Sequence, residues 1–131
     1  MLVGGGSGVV PLMVMIRHRE AVGSDVPTRL LYSSRSFEEI IYREELETLA
    51  SRDSALEVIH TLTRSRLEAW TGYDRRIDAE MLREVAWSPD ESPLVFVCGP
   101  TSFVEGVADA LVRLGHDPAR VKTERFGPTG G

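Results

Sequence analysis

The chain is short of cysteine, of excess positive charge and of long apolar runs, and each shortage removes a class of function. Cys98 is the only cysteine in 131 residues, so no internal disulfide framework can form. The histidines, His18, His60 and His116, are scattered, which leaves no Cys/His spacing for a zinc site. A reducing, cytoplasmic compartment is the simplest setting for such a chain. The formal net charge of −5 argues against a sequence-independent grip on nucleic acid, because releasing phosphate counterions needs a basic face. No apolar run approaches the roughly 18 residues of a membrane span. Nor does a charged segment precede an apolar one as in a signal peptide.

What is present is a repeated change of period. Short β-rich apolar runs alternate with longer stretches of helical spacing, which predicts an α/β fold: an open five-stranded parallel sheet with helices on both faces, Rossmann-like. Residues 1–3 read as the clipped end of the first strand. Residues 10–21 read as the helix after it, with Pro11 at the first position, where a missing N–H costs nothing. Arg17, His18 and Arg19 in its last turns suit the helix dipole on a solvated face. RLLYS, residues 29–33, is the second strand, and Ser36 with Glu39 has the spacing of a capping box that opens a helix to Ser51. ALEVIHTLT, residues 55–63, is the third strand. The SRLEAWTGYDRR loop that follows is rich in Arg, Trp and Tyr, a candidate binding edge. Asp78 is placed to cap a short helix through Ala86. PLVFVCGP has the unbroken apolar core of a strand buried on both faces. Ser102 and Glu105 form a second capping box for a helix to Leu114, Gly115 is its left-handed cap, and VKTERF is the fifth strand. With no repeat, low-complexity tract or linker, residues 1–131 are expected to form one domain.

The GGGSG stretch between the first strand and its helix is the first candidate site. Bare backbone there exposes N–H groups, the helix dipole favours negative charge, and missing Cβ atoms let a phosphate approach closely. Gly6-x-Gly8-x-x-Pro11 is a variant of the G-x-G-x-x-G dinucleotide fingerprint, and it lacks the Gly-Lys-Ser/Thr ending of a nucleoside-triphosphate loop. A second turn, Cys98-Gly99-Pro100, ends the buried fourth strand at the edge where parallel sheets bind their ligands. Nothing near Cys98 in sequence supplies a base, so a Cys-His hydrolase is not indicated.

GGGSGVVP, LLYSSRSFEEIIYREELETL, VFVCGPTSFVEGVADALVRLG and the closing TERFG resemble, in the same order, the nicotinamide-nucleotide-binding half of the ferredoxin-NADP reductase family. The similarity spans essentially the whole chain. It implies a sheet that carries NADP(H) or NAD(H), with the pyrophosphate over Gly6, Ser7 and Gly8 and the helix from Pro11 available to the phosphates. It places Cys98, Gly99 and Pro100 beside the nicotinamide, where the thiol orients the hydride-bearing carbon and is no nucleophile. Glu124 and Phe126 match a terminal acid and a terminal aromatic that lie against flavin and nicotinamide in the family, although this chain continues to Gly131 where plant-type members stop. The family's flavin-binding barrel has no counterpart in these residues. FAD is therefore expected in a missing or separate domain, in the same or another chain, with an iron-sulfur or haem protein as electron-transfer partner.

The choice of nucleotide turns on the 2′-phosphate, which Arg and hydroxyl donors recognise, whereas a carboxylate selects the free 2′-hydroxyl of NAD. Ser33, Ser34 and Arg35 follow the second strand without a carboxylate, and Thr63 with Arg64 after the third resembles the family's 2′-phosphate pair. NADP is expected, with NAD left open because the family's further basic and aromatic pair is not clearly matched; Arg75 or Arg76 near Tyr73 could supplement the grip. Two other readings compete. One is a nucleotide-sensing or partner-docking module without electron transfer. The other is an S-adenosylmethionine methyltransferase, which needs an acidic ribose ligand that Ser33-Ser34-Arg35 does not offer.

Overall fold

In the computed structural model of the chain, residues 1–65 and 67–126 are described. Arg66, in the Arg/Trp/Tyr loop, and the tail from Gly127 to Gly131, which includes the last residue of TERFG, lie outside the described residues. Five strands form one sheet: β1 (Leu2–Gly5), β2 (Thr28–Ser34), β3 (Leu56–Leu62), β4 (Val95–Pro100) and β5 (Val121–Phe126), in the order β3-β2-β1-β4-β5. Every pairing is parallel, so all five carboxyl ends lie along one edge. The chain winds outward from β1 in both directions, which puts the switch point of the topology between β1 and β4.

Apolar residues alternate across the strands to feed two cores. On one face Leu12, Met13 and Ile16 of α1 (Val9–Ala21) and Leu46 and Leu49 of α2 (Arg43–Arg52) pack on Leu30, Tyr32, Leu56 and Cys98. On the other, Met81, Leu82 and Val85 of α3 (Ala79–Val85) and Val104, Val107 and Leu111 of α4 (Thr101–Arg113) pack on Val3, Leu31, Val95 and Val97. Each fully buried side chain of this size contributes about 1.5–3 kcal/mol. The sheet is covered unevenly. On the α1 face, Lys122 and Glu124 of β5 are exposed and Phe126 is half-buried, beside half-buried Phe96 of β4.

Several local expectations shift. The first strand runs on to Gly5, because Gly4 and Gly5 pair with Tyr32 and Ser33 in the ladder. A single 3-10 turn over Gly6–Gly8 leads straight into α1, which makes Pro11 its third residue, still within the first turn, where its missing N–H is tolerated. The helix expected from Ser36 to Ser51 is broken. Ser36 opens only a 3-10 turn, Phe37–Glu39, and its hydroxyl bonds the Glu39 carboxylate at 3.2 Å. Ile40 is then extended and buried, the Ile41 N–H donates to the Tyr32 hydroxyl at 3.0 Å, and Tyr42 at φ 61° turns the chain into α2. Burying Ile40 and satisfying the Tyr32 hydroxyl are non-local demands that override the capping signal. The Ser102–Glu105 box is not formed either, since α4 starts at Thr101 with Pro100 in the capping position and Ser102 already inside the first turn. Asp78 does cap α3, accepting the Met81 N–H at 2.8 Å. Gly115, at φ +105°, ends α4 in a Schellman arrangement, with its N–H on Val112 O and the His116 N–H on Leu111 O.

Candidate functional site

At the switch point the 3-10 turn after β1 meets the carboxyl end of β4 through bare backbone; Cys98, Gly99 and Pro100 are not a separate turn but the last three residues of that strand, in register with Glu124, Arg125 and Phe126. Gly6 has φ +55°, the left-handed conformation that swings the chain from strand to turn, and a Cβ there would meet open space. Gly8 is different: its φ of −62° suits any residue, but a Cβ would lie 2.2 Å from the Cys98 carbonyl oxygen and 2.7 Å from Gly99 Cα. Gly8 is therefore required by the close approach of the turn to the strand end. That contact brings the starts of α1 and α4 together. Gly8 and Pro100 occupy their capping positions, neither helix has a side-chain cap, and neither first turn carries an acid. Two adjacent helix N-termini with no side-chain cap and no carboxylate suit an anion. Gly6 and Ser7 are exposed above them and Pro11 is half-buried beside them.

Cys98 stands in register with Gly4 on one side and Glu124 on the other, and Pro100 with Phe126. Cys98, Glu124 and Phe126 thus share the face of β4 and β5 toward α1. Burial, and secondarily the Glu124 carboxylate, push the Cys98 thiol up to about 11, so at neutral pH it is an uncharged S–H group and a poor nucleophile. Gly99 is buried at the strand end.

At the other end of the same edge, backbone bonds prolong the β2–β3 ladder past its strands. The Thr63 N–H donates to Ser34 O at 2.9 Å, the Arg64 N–H to Arg35 O at 3.0 Å, and the Ser65 N–H to the same oxygen at 3.1 Å. Ser33 and Thr63 are half-buried there, and Arg35 and Arg64 are exposed. Among the described residues neither guanidinium has a carboxylate partner. The other two basic candidates differ. Arg75 is held by Asp78 at 3.1 Å and lies over the Tyr73 ring, whose hydroxyl donates to Glu84 at 2.6 Å. Arg76 is exposed.

Phe103 was not among the sequence candidates. Its ring, from the first turn of α4, sits against both Gly5 and Gly99. The signal was present: Phe103, Val107 and Leu111 recur every four residues and mark the face of α4 that meets the sheet.

An all-parallel sheet with a glycine turn and a helix start at its switch point defines a dinucleotide-binding domain. Residues 2–109 match the family model described as the oxidoreductase NAD-binding domain. The chain is 36% identical over 131 residues to the glycine betaine monooxygenase reductase subunit of Pseudomonas aeruginosa, covering 98% of this chain and 35% of the relative. It is 35% identical over 131 residues to ferredoxin–NADP reductase B of Sorangium cellulosum, covering 96% of this chain and 53% of that one. The FAD/NAD-binding domain of nitric oxide dioxygenase from Vibrio cholerae shares its fold, with a TM-score of 0.85 at 22% identity over 97% of this chain and 50% of that one. The chain belongs to the oxidoreductase NAD-binding domain family, as the nicotinamide-nucleotide-binding domain of the ferredoxin–NADP reductase type. It spans only about a third to a half of these two relatives.

Proposed function

We propose that this chain binds NADP(H) along the carboxyl edge of its sheet and presents the nicotinamide to a flavin held by an adjoining FAD-binding domain. The observation that carries the reading is the Gly8 contact with Cys98 and Gly99, which sets two helix N-termini side by side where a pyrophosphate would lie. Gly6, Ser7 and Gly8 bind the phosphates through backbone N–H groups and the Ser7 hydroxyl. Arg64 and Arg35, with Thr63 and Ser33, hold the 2′-phosphate. Cys98, Gly99 and Pro100 seat the nicotinamide. When bound there, the nucleotide supplies a hydride for a flavin to accept, and the protein contributes placement.

The flavin side is supported by the incomplete cover of β4 and β5. Glu124 and Phe126 lie on that face at the carboxyl edge, the first exposed and the second half-buried. Val10, in the first turn of α1, is exposed. A flavin domain seated here would close the site and exclude water. Electrons then pass to an iron-sulfur or haem protein.

In calorimetric titration the chain is expected to bind NADP+ and to take up no FAD. Supplied with a family-type FAD-binding domain ahead of Met1, it should gain NADPH-dependent dye reduction. In that joined protein Cys98→Ala slows flavin reduction in stopped-flow while leaving nucleotide affinity nearly unchanged, because the thiol orients the reactive complex. Wild-type flavin reduction in the variant removes Cys98 from the reaction. Nucleotide binding without any flavin-dependent activity would favour a sensing or docking module.

A further inference from the structure

We infer that Phe103 is a positioning residue that sets the span between the phosphate cradle and the nicotinamide seat; the inference rests on the nucleotide reading above. A Cβ on Gly5 would lie 2.9 Å from Phe103 Cδ1, and one on Gly99 would lie 2.8 Å from the same atom. Gly5 ends β1 and Gly99 is the penultimate residue of β4, so one aromatic ring abuts the backbone of both strand ends where they lead into the Gly6–Gly8 turn and into α4. The Gly99 Cβ position is also 3.2 Å from Gly5 O, which shows the strand ends touching each other beside the ring. Phe103 cannot drift, because Val104, Val107 and Leu111 anchor α4 in the core beneath it. A flat side chain with only two torsions, fixed at its base, acts as a spacer. Gly8 against Cys98 O fixes the contact of turn and strand end from the Gly8 side, and Phe103 fixes it from the α4 face. The β2–β3 loops that carry Arg35 and Arg64 are tied by separate backbone bonds and take no part.

Phe103 therefore governs the pyrophosphate and nicotinamide part of the ligand and leaves the 2′-phosphate end alone. The test titrates wild type, Phe103→Ala and Phe103→Leu with NADP+ and with adenosine 2′-monophosphate, which lacks the pyrophosphate. Misplacing the strand ends in Phe103→Ala is expected to weaken NADP+ by about tenfold and the monophosphate by less than about twofold, with Phe103→Leu in between. Equal losses for both ligands would show a merely structural role, and no loss for either would show none; both overturn the inference. If Phe103→Ala does not fold, Gly5→Ala displaces the ring without removing it. It should show the same selective loss, and Gly5→Ala/Phe103→Leu should recover NADP+ binding because the shorter side chain makes room for the methyl. Absence of recovery overturns the spacer. A wild-type chain that binds neither ligand sinks the functional reading itself, whereas a wild type that binds both with unselective variants sinks only the role of Phe103.

Discussion

The two ends of the sheet's carboxyl edge are built on opposite principles. At the β1–β4 end, Gly5, Gly8 and Gly99 press backbone against backbone and ring, and donors come from helix starts. At the β2–β3 end, main-chain bonds hold the loops while exposed Arg35 and Arg64 offer side chains to solvent. Backbone donors can recognise only what every dinucleotide shares, its pyrophosphate, whereas long charged side chains distinguish the 2′-phosphate. The first end thus tolerates almost no substitution, and the second can be retuned without disturbing the fold.

The harshest way to break this contrast is Gly8→Val. A side chain 2.2 Å from the Cys98 carbonyl must push turn and strand end apart, so NADP+ and NAD+ binding should both vanish. Overpacking of this kind costs about 1–3 kcal/mol, visible as a lower midpoint in urea. Gly6→Ala is the matched control. It meets open space and suffers only its positive φ, about 1 kcal/mol. If the two variants behaved alike, close approach would not be what Gly8 supplies.

Next comes Arg64→Ala, which acts at the other end. Losing a charge-assisted contact to phosphate costs about 1.5–3 kcal/mol, roughly ten- to hundredfold in NADP+ affinity, with NAD+ barely affected. Calorimetry with both nucleotides reads the difference directly. Equal losses would remove Arg64 from the phosphate site and promote Arg35 or Arg76.

The smallest expected effect sharpens the comparison from outside it. α3 carries its own cap, so Asp78→Ala should cost about 1 kcal/mol of stability and leave nucleotide affinity untouched. The Met81 N–H, and then Arg75, hold the Asp78 carboxyl below its usual range. Its contribution is therefore present above the ordinary carboxylate value and is lost as pH falls through the lower folded value. Urea melts of wild type and variant should converge in acid. A stability difference that persists there would assign the effect to packing.

Where the sequence was readable, the signal was local. Short apolar runs marked the first four strands, Asp78 stood before its helix, and Gly115 stood after one. The break between Ser36 and α2 was illegible because it depends on the Tyr32 hydroxyl reaching Ile41, a bond between segments with separate local signals. The Ser102 box misled for a related reason: a strand running into a helix at Pro100 leaves no room for a cap two residues later. At the site, glycine and arginine types could be picked out along the chain, but the roll of Phe103 could not, since it exists only when β1, β4 and α4 converge.

By itself the sequence determined the alternation of strands and helices, the parallel sheet that follows from it, and a glycine-rich turn suited to phosphate. These depend on the period of apolar residues and on which residues tolerate bare or left-handed backbone, properties of neighbours in the chain. Only the tertiary structure decided that Gly8 is needed for contact rather than for conformation, that Arg75 is committed to Asp78 while Arg35 and Arg64 face solvent, and that Lys122 and Glu124 of β5 stay exposed on the face that α1 covers over β4. Each is a matter of distance between residues far apart in sequence, and such distances come into being when the cores pack and the strands take their register.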